Sequence, residues 1–215
     1  MSEILEKKEV INNKEEKPLQ YYLEEYAVID PEKRGKALGI NYQDGCFSMD
    51  MLGESYRISW PEGAISSENE KALAVWNNEA KIMIYRYLVH GQAIPTSGNF
   101  KTFRELPWGE VYIKPFTGRC ITRLAYKFSR DLDGFRWAAP LLGGVPMNHG
   151  DAGFEFVFTG EYRLRVFIWA GDEEFPPNAQ ILYSDNFSVG LSAEDCVVVA
   201  EMLINALGEK LKAKK

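Results

Sequence analysis

The sequence predicts an α+β fold, a mainly antiparallel sheet built from hairpins and packed with several helices. Two observations carry this. Alternating apolar runs come in adjacent pairs, as in hairpins, and helical patterns come in blocks instead of between single strands. A third concerns size. The chain has 215 residues, 46% of them hydrophobic, with no internal repeat and no low-complexity linker. That is enough for one core, so one domain is expected over residues 19–207, between a charged tail (1–18) and a basic tail (208–215).

The elements follow in order. Tyr22, Leu23 and Tyr26 recur at helical spacing, which predicts a short helix over Leu19–Val28. Pro31 after Asp30 opens a second helix that stops at Gly39. Phe47, Met49 and Met51 alternate with polar residues, so Cys46–Leu52 and Glu54–Trp60 read as a hairpin turning at Gly53. Ser67 and Glu70 form a capping-box pattern. Behind it Leu73, Trp76, Ala80, Ile84, Tyr87 and Leu88 lie on one side of a helix ending near His90–Gly91. The stretch "FKTFRELPWGEVY" reads as partly extended. Thr117 caps a helix running to about Phe128, and another starts at Asp131 and ends at Gly143–Gly144. The clearest β signal is Phe154, Phe156 and Phe158, then a turn at Thr159–Gly160. Tyr162, Leu164, Val166 and Ile168 share one face of the next strand, with Arg163 and Arg165 on the other. Ala179–Tyr183 forms a third strand. Ser192 caps the last helix, whose closing lysines suit its dipole.

Composition excludes some functions. The net charge of -6 disfavours double-stranded nucleic acid and anionic membranes, which need clustered Lys and Arg. No apolar run approaches a membrane span. Three scattered cysteines, Cys46, Cys120 and Cys196, suit a reducing cytoplasm and make no C-x-x-C. Phosphate-loop, dinucleotide and serine-hydrolase motifs are absent.

Three constellations are candidate sites. From Asn99 to Arg130 there are seven Lys or Arg and two acids. Within this run Arg119, Arg123 and Lys127 are four apart and share a helix face. With Arg104 they suit a phosphate or carboxylate near a helix N-terminus, and Trp108 is available to stack on a flat ligand. The alternatives are a solvated face, or one paired with acids of the same chain. His149 and Asp151, in a glycine-rich loop, are candidates to orient or ligate a group. Asp172, Glu173 and Glu174 form an acidic knuckle at the end of a strand. It suits a hard cation, a basic surface or water.

The segments "SGNFKTFRELPWGEVY", "HGDAGFEFVF", "FIWAGDEEFPPNAQILYSDN" and "LSAEDCVVVAEMLINAL" together resemble the domain-of-unknown-function family 3786, whose bacterial and archaeal members are met mainly in anaerobes. The resemblance runs from about Gly39 to Leu207, with "GDEEFP" and "FREL" its most specific pieces. It implies a link to one-carbon or corrinoid metabolism, because some relatives are fused to a four-cysteine iron–sulfur domain. This chain lacks those four cysteines, so any cluster belongs to a partner. The resemblance brings no catalytic residues and names no cofactor.

The leading expectation is therefore a cytoplasmic accessory or binding domain for an anionic small molecule or cofactor, using Arg104, Trp108, Arg119, Arg123, His149 and Asp151. One alternative is an enzyme with His149 and Asp151 as acid–base groups or metal ligands. The other is an interaction module whose knuckle docks an iron–sulfur or corrinoid protein.

Overall fold

A computed structural model describes residues 16–214. Most of the charged tail expected over 1–18 lies outside these residues. The first helix, α1 (Glu16–Ala27), leads to α2 (Pro31–Leu38), where the Asp30 carboxylate accepts the Lys33 N–H and Gly39 closes the helix in the left-handed region. A four-stranded antiparallel sheet follows, in the order β1 (Asn41–Gln43), β2 (Cys46–Met51), β3 (Glu54–Ser59) and β4 (Ile65–Ser66). The β2–β3 register pairs Phe47 with Ile58 and Met49 with Tyr56, so the alternating apolar residues face one core.

The single helix expected after Ser67 is in fact two, α3 (Leu73–Trp76) and α4 (Asn78–His90). The reason is Asn77, which leaves helical geometry and accepts the Ala80 N–H with its side-chain oxygen at 2.8 Å. Such a cap starts a new helix better than it continues an old one.

The next region corrects a second expectation. Only Phe100–Thr102 (β5) of "FKTFRELPWGEVY" is extended. Glu105 then accepts hydrogen bonds from the Thr102 N–H and hydroxyl, both at 2.7 Å, and closes a 3-10 turn over Phe103–Glu105. Helix α5 (Gly109–Phe116) begins well before Thr117. It continues through a π-helical segment, Thr117–Thr122, into α6 (Arg123–Phe128). Pro115 lacks an N–H and disturbs the α ladder here, while the Thr117 hydroxyl donates to the Ile113 carbonyl. Phe103 stacks on Phe116 with centroids 4.1 Å apart, tying the turn to the helix.

Helix α7 (Leu132–Ala138) is capped by Asp131 and ends through a 3-10 turn at Gly143. Then come β6 (Val145–Met147), β7 (Ala152–Thr159), β8 (Tyr162–Trp169) and β9 (Asn178–Ser184). They form a second antiparallel sheet, in the order β5-β9-β8-β7-β6. Phe154, Val166 and Ile181 align across it on the inner face, and Glu155, Arg165 and Leu182 on the outer. After α8 (Phe187–Gly190), helix α9 (Ala193–Lys214) runs through the centre of the molecule. It continues past Leu207, where a tail was expected, because Leu211 packs on the core and Lys210 reaches Glu54.

The fold is thus α+β with two sheets instead of one, around one continuous hydrophobic core. The sheets meet where the Leu52 N–H donates to the Phe158 carbonyl at 2.9 Å. At that junction Gly53 has a φ of +73°, and a Cβ there would lie 2.4 Å from the Leu142 backbone. Only glycine meets both demands.

Candidate functional site

The basic helix face is already occupied. Arg119 donates to Glu194 at 2.8 Å and to Glu201 at 2.5 Å, both on α9. Arg123 donates to the Asn205 side chain, and Lys127 to the Ile204 carbonyl at 3.4 Å. Gly208 leaves room for Lys127, whose ammonium sits where a Cβ would be. The four-residue spacing thus does place these cations on one face, and that face meets α9. The Glu201 hydrogen bond is the main cause that holds the Arg119 guanidinium above its ordinary pKa. Beneath it, burial and then Glu201 push the Cys120 thiol up to about 12.

The other predicted residues lie apart from this pairing. Arg104 pairs with Glu110 at 3.2 Å, with both side chains largely exposed. Trp108 is 74% exposed. His149 packs edge-on against Phe167 and Trp169, at 4.5 and 5.6 Å between ring centroids. Phe167 lies on the outer face of β8, opposite the Val166 and Ile168 face, so His149 and Arg119 are on different sides of the sheet. The Asp151 carboxylate accepts the Ala170 N–H at 2.7 Å, and its carbonyl accepts from Arg136. Asp151 therefore joins the glycine-rich loop to the start of the knuckle.

In the knuckle Asp172 accepts the N–H groups of Glu174 and Phe175 at 2.9 and 2.7 Å. The Phe175 N–H bond is the main reason that its pKa lies below the ordinary value. This carboxylate makes the turn, while Glu173 and Glu174 face solvent. The knuckle shares an open surface cleft with Tyr126, Ser129 and Arg130 at the end of α6. Among the described residues no group of three or more His, Cys, Asp or Glu is placed to hold a metal ion.

A more enclosed recess lies elsewhere. A cleft of about 450 Å³ opens between β2–β3, the loop before α3, and the last turns of α9. Such a volume suits a small organic ligand. Met51, Leu52, Tyr56, Leu73, Leu142 and Ala206 make its buried apolar lining. Trp76, half exposed, forms one wall and donates its indole N–H to the Lys71 carbonyl at 3.4 Å. Burial pushes the Tyr56 hydroxyl up to about 12, so it stays neutral. One polar wall is prearranged, because Glu54 accepts from Asn69 at 2.8 Å and from Lys210 at 2.6 Å. At the mouth stand Lys71 and Lys212, both exposed. Lys212 reaches Glu209 at 2.7 Å, and Lys71 has no carboxylate within ion-pair distance among the described residues.

Sequence reading missed this cleft because its lining comes from four separate stretches. Each apolar member looked like ordinary core, and the spacing of Lys71, Lys210 and Lys212 carries no motif. The one local hint was Trp76, an aromatic on the helix stripe that stays half exposed.

The model of the domain-of-unknown-function family DUF3786 matches residues 30–206. The chain belongs to this family. No curated protein matches it, and no solved structure does. The family match spans three of the cleft's four segments and ends at Ala206, so Glu209, Lys210 and Lys212 lie just past it. Among the described residues no helix is long and apolar enough to cross a membrane.

Proposed function

We propose that this family member is a cytoplasmic binding domain for an anionic, partly apolar small molecule, held in the cleft beside α9. The observation that carries the reading is the pairing of an apolar floor with Lys71, the one lysine of the lining that has no carboxylate within ion-pair distance among the described residues. An apolar body would lie against Trp76 and Leu142, and its negative group would meet Lys71, since Lys212 already answers Glu209. This keeps the anionic ligand class read from the sequence and moves it from the Arg119 face, whose arginines already answer Glu194, Glu201 and Asn205. The free thiols of Cys46, Cys120 and Cys196 are in keeping with a reducing compartment.

The test uses anilinonaphthalene sulfonate, an apolar ring system bearing one negative charge, in a fluorescence titration. Lys71→Glu should weaken binding about tenfold, the loss of roughly one charge-assisted contact. Ala213→Trp, at the exposed rim, should weaken it by narrowing the mouth without entering the core. Unchanged affinity in both variants would remove the cleft as the site.

A further inference from the structure

The continuous helix from Gly109 to Phe128 buries one side against α9 and the five-stranded sheet, and its other side is exposed. On that side Val111, Pro115, Gly118, Thr122 and Tyr126 succeed one another at intervals of three or four, Arg130 follows in the turn just beyond, and all are exposed. The row has a distinct arrangement. Its middle is small, and a Cβ at Gly118 would touch nothing within 4 Å. Its two ends are large and unlike. At the start Trp108 is held outward at a φ of +64° and is 74% exposed, with Val111 at 69%. A left-handed backbone at a bulky residue costs about 1–2 kcal/mol, and this indole recovers little of it inside the chain. At the far end are Tyr126, 52% exposed, and the knuckle's Phe175, 65% exposed.

Charge follows the same division. Arg104 and Glu110 flank the Trp108 end. Glu173 and Glu174 flank the Tyr126 end, together with Arg130, which has no carboxylate partner among the described residues. Two copies of this helix laid antiparallel, with Gly118 at the crossing, bring each Trp108 end against the other copy's Tyr126 end. Arg104 and Glu110, which pair with each other in one copy, would there exchange partners, Arg104 for the other copy's knuckle acids and Glu110 for its Arg130. Each end carries a cation and carboxylates, so opposite signs can be matched end to end, as a two-fold interface requires.

We infer that the chain forms a two-fold dimer through the outer side of the Gly109–Phe128 helix, with Gly118 at the crossing point. The acidic knuckle and the Trp108 turn are the two halves of one contact, repeated twice. The ligand cleft beside α9 is separate from it and stays open in the dimer.

Sedimentation equilibrium on the full chain, from micromolar to hundred-micromolar concentrations, tests this. The wild type should sediment as a dimer at the upper end. Gly118→Arg should give a monomer at every concentration while its melting temperature, taken at low concentration, stays at the wild-type value, because the added side chain enters open space. Arg104→Glu should weaken association several-fold, and adding Glu173→Lys to it should restore the dimer. A wild-type monomer throughout overturns the proposal. So does a dimer indifferent to Gly118→Arg, which would place the interface elsewhere. Failure of the charge exchange to rescue overturns the antiparallel register.

Discussion

Glu194 and Glu201 stand two helical turns apart on α9, whereas Asp172, Glu173 and Glu174 are adjacent in the chain. The separated acids converge on one guanidinium, with Glu201 nearly buried at 12% side-chain exposure. The adjacent ones do not converge on anything in the described chain. Asp172 turns back to its own backbone, and its two neighbours point outward. Density of charge along a sequence is therefore a poor guide to density in space. A helix repeat can focus two carboxylates on a neighbouring helix, and a tight turn spreads three apart.

The largest effect that would break this contrast comes from Glu201→Ala. It leaves the half-buried Arg119 with only Glu194 and should lower unfolding free energy by about 2 kcal/mol, below the value for a fully buried pair because Arg119 is 36% exposed. Urea denaturation would show it, and a loss no larger than that of Glu194→Ala would mean that the two acids are equivalent. The same substitution should make Cys120 react faster with iodoacetamide at pH 8, since it removes one of the causes that raise that thiol. An unchanged rate would mean that Glu201 has no part in raising that thiol.

Asp172→Ala should lower the urea midpoint less than Glu201→Ala, through two lost turn bonds at an exposed site. Its signature is in the pH dependence. A carboxylate with a depressed folded-state pKa stabilises the fold above its unfolded pKa, and that contribution is lost as pH falls through the folded value. The difference between wild type and Asp172→Ala should therefore be constant near neutrality and shrink below the ordinary aspartate value of 3.8. A difference still growing in acid would assign the effect to another group. The smallest effect belongs to Glu173→Gln with Glu174→Gln. At low protein concentration this pair should leave the midpoint in place, and a clear shift would show that the knuckle has an intramolecular partner after all.

Local chemistry explains what was legible from the sequence. Phe154, Phe156 and Phe158 alternate because β7 has one buried face, and Gly160 closes the turn to β8. Ser192 and Asp195 cap α9 by exchanging side-chain and backbone bonds within four residues. The start of α5 was hidden, because "LPWGE" looks like a plain turn and Pro115 looks like a helix breaker. The structure keeps helical backbone there by stacking Phe116 on Phe103 and by admitting a π segment, and neither leaves a periodic trace.

The sequence by itself determined the α+β class, the two main hairpins, most caps and the common face of Arg119, Arg123 and Lys127. All of these follow from backbone geometry and side-chain period over a few neighbouring residues. Only the tertiary structure decided that this face meets α9, that the strands divide into two sheets joined at Gly53, and that β2, β3, α3 and α9 enclose an apolar cleft. Those outcomes depend on which distant surfaces pack together, and residues far apart in the chain have no spacing from which their contact can be read.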